Sequence, residues 1–222
     1  MTYWHKGARV GAARTGLVAA GVGLAAAVEV ATYPAWRRWC VQWGATALEA
    51  ARSLPGDDLL AEPQIVTTRA ITIEAAPELI WPWLVQFGPG RGGVYTYDWI
   101  ENLLGLNMHS VGHVLPEFQH PQVGDGFGYG PNQMIFKRVE PEHVLAAQSA
   151  DGNWVWTFVI DGTHDGKTRL ISRNRFRLPK LKDKVGMIPM EPASLLMERK
   201  MLHGIKKLAE KLNQTPHEAA HL

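Results

Sequence analysis

The sequence predicts an α+β domain carried behind an N-terminal hydrophobic helix, and three observations lead there. From Ile65 onward the hydrophobic period runs strand, helix, helix, several strands and a long final helix. Ahead of that, residues 15–36 hold one charged side chain, Glu29. Third, 222 residues with 46% hydrophobic content suffice for one core of ordinary size plus an appendage. Charge and cysteine usage narrow the function classes. Lys and Arg total 23 against 21 Asp and Glu, and a net charge of +2 gives no global field to gather nucleic acid or acidic substrates. A single cysteine, Cys40, excludes an intramolecular disulfide and a cysteine-rich zinc site. Nine tryptophans are the compositional excess, and Trp suits cores, ligand pockets and membrane interfaces.

Residues 1–14 form a basic leader with Lys6, Arg9 and Arg14. The run TGLVAAGVGLAAAVEVATYPAW, residues 15–36, is about long enough to cross a hydrocarbon layer of ~30 Å. Leu17, Val18, Val22, Leu24, Val28 and Val30 each favour insertion by roughly 0.3–0.6 kcal/mol, a central acid costs about 2.5–3.5 kcal/mol, and off-centre Glu29 can reach the interface. Trp36, Trp39 and Trp43 follow at i, i+3 and i+7 with Arg37 and Arg38 beside them, the composition of an interfacial belt. The expectation is a single-pass transmembrane anchor. A buried Ala-rich helix and a signal peptide cleaved near Ala25-Ala26-Ala27 are the alternatives. The basic count favours an inside N-terminus, which would put the main domain outside the cytoplasm. Residues 37–64 read as a juxtamembrane helix and linker ending at the turn cluster Pro55-Gly56-Asp57-Asp58.

The main domain is expected over 65–213, with 214–222 a flexible tail. VTTRAITIE is β-branched and alternating, a strand. PELIWPWLVQF then places Leu79, Ile80, Trp83, Leu84 and Phe87 at helical spacing behind a first-turn proline, and interior Pro82 should kink or split the helix. The next six residues, Gly88-Pro-Gly-Arg-Gly-Gly93, match the glycine spacing of a dinucleotide-phosphate cradle. They follow a helix instead of a strand, so a glycine-rich turn is the preferred reading. Tyr97–Gly105 gives a second short helix with Trp99, Ile100, Leu103 and Leu104 facing inward and Asp98 and Glu101 solvated. Alternation returns in VGDGFGYG, QMIFKRVE, HVLAAQS, NWVWTFVID and KTRLISRNRFRL, an antiparallel meander punctuated by Pro and Gly pairs. From about Pro192 to Leu212, Leu195, Met201, Leu202, Ile205, Leu208 and Leu212 form the stripe of an amphipathic helix.

Taken together, ITIEAAPELIWPWLVQFG, GRGGVYTYDWIENLLG, LPEFQHPQVGD, WVWTFVID and MERKMLHGIKKLAEK resemble the START-like superfamily, also called SRPBCC or helix-grip, with its polyketide cyclase/dehydrase and lipid-transport members. The resemblance covers about residues 65–212, and WGATALEAARSLPGDDLL is similar to the linker of bacterial members with a membrane segment. It implies a curved antiparallel sheet wrapped around the long C-terminal helix, with an apolar cavity between them. It carries over no catalytic motif.

The ligand is therefore expected to be a small apolar molecule or lipid, with no cofactor. Candidate cavity residues are Trp83, Tyr95, Trp99, Trp154, Trp156 and Phe158; along WVWTFVI the last three share a face with Ile160, whether as plain core or as cavity wall. The alternative is a cyclase- or dehydratase-like enzyme using Tyr97, Asp98 or His109 as acid–base groups at the cavity mouth. His109, His113, Glu117 and His120 have metal-ligand chemistry, but Gly112, Pro116 and Pro121 oppose the helix their spacing needs, so no metal is expected. Arg169, Arg173, Arg175 and Arg177 share one strand face and Lys180, Lys182 and Lys184 follow. Without interleaved aromatics this is not a nucleic-acid site; it is either a solvated face or a contact to anionic lipid by Arg173, Arg175, Arg177, Lys180 and Lys182.

Overall fold

The computed structural model describes residues 33–219 apart from 104, 129–132, 164–165 and 180, with backbone alone at 181–189 and 215–219. The leader, most of the expected anchor and the cleavage alternative lie outside the described residues, as do Lys180 and the side chains of Lys182 and Lys184. Among the described residues, no helix is long and apolar enough to cross a membrane. The chain divides between Trp39 and Cys40 into two units. In the first, the described residues begin helix α1, residues 33–41, with Tyr33, Trp36 and Trp39 all exposed.

In the second unit the period-two stretches become six strands: β1 (Ile65–Ile73), β2 (Gly126–Phe127), β3 (Met134–Glu140), β4 (Val144–Ser149), β5 (Trp154–Gly162) and β6 (Thr168–Phe176). They form one antiparallel sheet in the order β1-β6-β5-β4-β3-β2. The first strand thus pairs with the last, across everything between them. Register fixes three cross-strand rows: Ile65–Phe176–Trp154, Thr67–Asn174–Trp156 and Arg69–Ser172–Phe158. These rows share the inner face with Ile71, Ile73, Leu170 and Ile160, because side chains alternate along a strand.

Helix α3 (Pro77–Val85) and helix α5 (Leu181–Ala219) cover that inner face. Ile80, Trp83, Leu84, Met201, Leu202 and Ile205 join Ile71, Ile73, Phe158 and Leu170 in one buried cluster. Pro82 sits inside α3 without splitting it, since a proline removes one hydrogen bond and the short helix keeps its flanking ones. Helix α5 begins well before Pro192 and runs into the expected tail. Pro189 and Pro192 each delete one rung, and the rungs on either side continue the helix.

The segment read as a linker is instead a layer of the fold. Helix α2 (Ala47–Ala51) carries a capping box between Thr46 and Glu49, and a 3₁₀ turn follows at Asp57–Leu60. Leu54 packs with Ala70, Val159 and Ile171 on the outer face of the sheet. Gly44, at φ +73°, lies where a Cβ would sit 2.1 Å from the Ala70 carbonyl oxygen. Arginines of β6 complete the attachment. Arg169 grips Glu49 at 2.7 Å, Arg173 meets Asp57 at 2.7 Å and Arg175 reaches the other Asp57 oxygen at 3.1 Å. Arg173 also donates to the carbonyls of Glu49, Ala50 and Arg52. Two of the arginines expected to meet lipid are therefore engaged within the chain: Arg173 is buried and Arg175 half-buried, while Arg177 is exposed.

Helix α4 (Asp98–Leu103) reverses the expected orientation. Trp99 and Leu103 are 69% and 80% exposed, whereas Glu101 is 7% exposed. The cause is local. Asp98 accepts from the Ser110 amide and hydroxyl, both at 2.6 Å, and Asn102 exchanges bonds with both Met108 backbone groups. These anchors at i and i+4 hold the helix by its polar side to 108–110 and turn the 99/103 face outward.

Candidate functional site

The glycine-rich turn after α3 is closed on itself. Gly88 and Gly93 exchange backbone bonds at 3.0 and 3.2 Å, Arg91 N–H donates to Gly88 and Gly92 N–H to Gln86. Those amides are the ones a phosphate would need, so the turn is not a phosphate cradle. Its role is to return the chain past Gln86, a buried hub. Gln86 Nε2 donates to Tyr95 Oη at 2.9 Å and to the His113 carbonyl at 3.2 Å, while Oε1 accepts from the Leu115 amide at 3.0 Å. Tyr95 then donates its hydroxyl to the Trp83 carbonyl at 3.1 Å. Burial pushes the Tyr95 hydroxyl well above the usual phenol range, the Gln86 bond opposing it, so this group is a fixed donor.

From Tyr95 an aromatic seam crosses the inner face. Tyr95 lies 6.1 Å from Trp83 and 5.5 Å from Phe87, Phe87 is 5.3 Å from Phe158, and Phe158 is 5.0 Å from Trp156. Trp156 and Trp154 stack at 5.7 Å and 20°, and Trp154 stacks on Phe176 at 5.6 Å and 20°. The two ends differ. Trp83, Phe87, Tyr95 and Phe158 are buried core, whereas Trp154, Trp156 and Phe176 are half-buried. The seam is thus packed interior at one end and a platform at the other.

Polar groups beside the platform fix it in place. Trp156 Nε1 donates to Ser172 Oγ at 2.9 Å and Trp154 Nε1 to Asn174 Oδ1 at 2.8 Å. Ser172 donates in turn to Glu198 Oε1 at 2.5 Å, and Glu198 is paired with Arg69. Arg69 also donates to the Cys40 carbonyl and to Ser194 Oγ, both at 3.0 Å. A buried ion pair is tolerable only when its remaining donors and acceptors are met, and this network meets them. Thr67 Oγ1, in the same row as Asn174 and Trp156, is buried without a hydrogen-bond partner, as is Trp83 Nε1. Such orphan atoms are polar anchor points for a bound molecule or an ordered water.

The sequence-predicted residues divide accordingly. Trp154 and Trp156 form the platform with Phe176; Trp83, Tyr95 and Phe158 lie in the packed end; Trp99 belongs to neither. Tyr97, Asp98 and His109 do not assemble into an acid–base centre. Both Asp98 oxygens accept from Ser110, Tyr97 lies under the Lys200 ammonium at 5.6 Å, and exposed His109 has its Nδ1 3.3 Å from the Asn107 carbonyl oxygen. No cluster of three or more ligating side chains able to hold a metal occurs among the described residues. Besides Phe176, sequence reasoning missed Arg69, Ser172, Asn174 and Glu198. Their signal was present as polar residues on otherwise apolar faces: Arg69 alternates with Ile71 and Ile73, and Glu198 lies on the Leu195–Leu202 stripe.

No protein-family model matches this chain, and no curated protein matches its sequence. Solved structures do resemble it. A polyketide-cyclase-like protein of Corynebacterium glutamicum is 17% identical with a TM-score of 0.40, covering 71% of this chain and 96% of its own. A norcoclaurine synthase of Thalictrum flavum is 17% identical with a TM-score of 0.40, covering 67% and 96%. A protein of Nitrosomonas europaea is 12% identical with a TM-score of 0.41, covering 71% and 99%. The fold assignment rests on topology instead of these values. One antiparallel sheet whose first strand pairs with its last, two helices between β1 and β2, and a long C-terminal helix seated on the inner face make this chain a helix-grip fold of the START-like kind.

Proposed function

We propose that this chain is a ligand-binding domain, held at a membrane by residues 15–36, which receives a flat, largely apolar small molecule on Trp154, Trp156 and Phe176. One observation carries the reading: two stacked indoles on the inner face of the sheet remain half-buried. Large aromatics on an inner face are normally buried, and an apolar site with a few convergent polar groups is the usual form of a ligand pocket. Because Ser172 and Asn174 hold the indole N–H groups, the rings are fixed, and the half-buried surface they leave uncovered is a rigid apolar one for a ligand to meet. Thr67 Oγ1 supplies an adjacent polar contact. Native mass spectrometry of full-length protein purified from its host tests this. A co-purifying small molecule that is lost in Trp156→Ala supports it; a bare chain in both forms counts against it.

One observation favours a cyclase- or dehydratase-like enzyme as the second reading. Glu198 brings a carboxylate to Ser172 and Asn174, next to the platform, where a general acid–base would stand. The Arg69 guanidinium and the Ser172 hydroxyl hold that carboxylate in one orientation beside the platform. If Glu198→Gln binds ligand normally but stops turnover of that ligand, the enzymatic reading holds.

A further inference from the structure

The β6 arginines are matched by Glu49 and Asp57, whereas the cations on the exposed side of α5 are not matched in number. Arg199, Lys200, Lys206 and Lys207 lie there. Among the described side chains of α5 outside the core, Glu210 is the one carboxylate, and Lys206 is bound to it. Glu74, just after β1, donates its backbone N–H to Glu210, and its carboxylate is paired with Lys167 at 3.4 Å. A shallow groove of about 420 Å³ runs between His203, Lys206, Lys207, Glu210, Lys211 and Gln214. Trp43 stands beside this face, its ring 5.2 Å from the Arg199 guanidinium and 5.7 Å from His203.

We propose that the exposed side of α5 from Arg199 to Lys207 docks on the headgroup surface of an anionic bilayer. Charge complementarity argues for it: several cations along one helix face act together on such a surface within a Debye length of ~8–10 Å. Trp43 adds an amphipathic ring of the kind that settles at headgroup depth. The His203 imidazole is held below the ordinary histidine value first by burial and then by the neighbouring Arg199, Lys206 and Lys200. The inference is independent of the ligand reading, since the platform lies on the opposite, inward side of α5.

Lysine acylation footprinting of the full chain tests it, on vesicles of phosphatidylcholine alone and of phosphatidylcholine mixed with phosphatidylglycerol. Any hold by residues 15–36 is common to both vesicles, so the difference isolates charge. Lys200 and Lys207 are expected to react at least about threefold more slowly on the anionic vesicles, with the protection lost in high salt and exposed Lys137 of β3 unchanged. Arg199→Gln/Lys207→Gln, with an unaltered circular dichroism spectrum, is expected to lose the protection at Lys200. Equal reactivity on the two vesicles overturns the proposal, as does protection shared by Lys137. If inorganic phosphate protects as well as the anionic vesicles do, the face is a general anion site and bilayer docking is wrong.

Discussion

Trp156 donates its indole N–H to Ser172 Oγ at 2.9 Å, and Ser172 passes its own proton toward Glu198 on α5. The ring on the sheet and the carboxylate on the helix are therefore parts of one hydrogen-bonded unit. This joins the geometry of the proposed platform to the seating of the C-terminal helix.

The outer layer depends on one carboxylate. Asp57 serves both Arg173 and Arg175, and removing one member of a buried pair leaves the other charge uncompensated, at about 3–5 kcal/mol. Asp57→Asn is expected to lower unfolding stability by roughly 3 kcal/mol in urea titration. Neighbouring Asp58 makes an exposed pair with Arg138 at 3.4 Å, and Asp58→Asn should change it by under about 0.5 kcal/mol. Equal effects at the two positions would mean that the layer over the sheet is not held by this clamp.

Acid should loosen the same layer. Burial works against ionising Glu49, but the Arg169 and Thr46 hydrogen bonds outweigh it and bring the carboxyl from 4.5 down to about 2. A folded-state value below the unfolded one gives stability that is complete above the unfolded value and lost as pH falls toward about 2. Stability measured from pH 5 downward should therefore fall less steeply in Glu49→Gln than in the parent chain.

Much of the fold was legible because burial writes a period into the sequence. β1, the strands from β3 to β6 and the α5 stripe all show it, since each has one face against the core. The outer layer was illegible for a physical reason. Residues 44–61 hold on through arginine pairs and backbone carbonyls rather than an apolar stripe, so they look like a linker, while Arg169, Arg173 and Arg175 look like a solvated face. α4 failed similarly. Its orientation is set by Asp98 and Asn102 gripping 108–110, a long-range constraint that the order of Trp99, Glu101 and Leu103 does not reveal. At the candidate site the sequence singled out Trp154 and Trp156 but not Phe176, and it also named Trp99, which lies exposed elsewhere. The network under the platform was not legible, because Arg69 and Glu198 are 129 positions apart and only the packing of α5 on the sheet brings them together.

The α4 reversal has a stability consequence of its own. Trp99→Ser removes a largely exposed ring and should alter stability by no more than about 0.5 kcal/mol. Glu101→Gln should be stabilising at pH 7, because burial raises the Glu101 value above 4.5 and ionisation there opposes folding. Stability from Glu101 is present below 4.5 and lost as pH rises through its folded value, so the advantage of Gln should vanish below pH 4.5. A large loss from Trp99→Ser would return that ring to the core and overturn the orientation of α4.

The central claim is that Trp154, Trp156 and Phe176 form a ligand platform, and titration with the neutral, flat fluorophore N-phenyl-1-naphthylamine tests it most directly. The parent chain is expected to bind one probe saturably with a rise in fluorescence. In Trp156→Ala, shown by circular dichroism to be folded, affinity should fall about tenfold, equivalent to ~1.4 kcal/mol of lost stacking and burial, while Trp99→Ser binds as the parent does. If folded Trp156→Ala binds the probe as tightly as the parent, or if Trp99→Ser is the variant that fails to bind, the platform account is wrong.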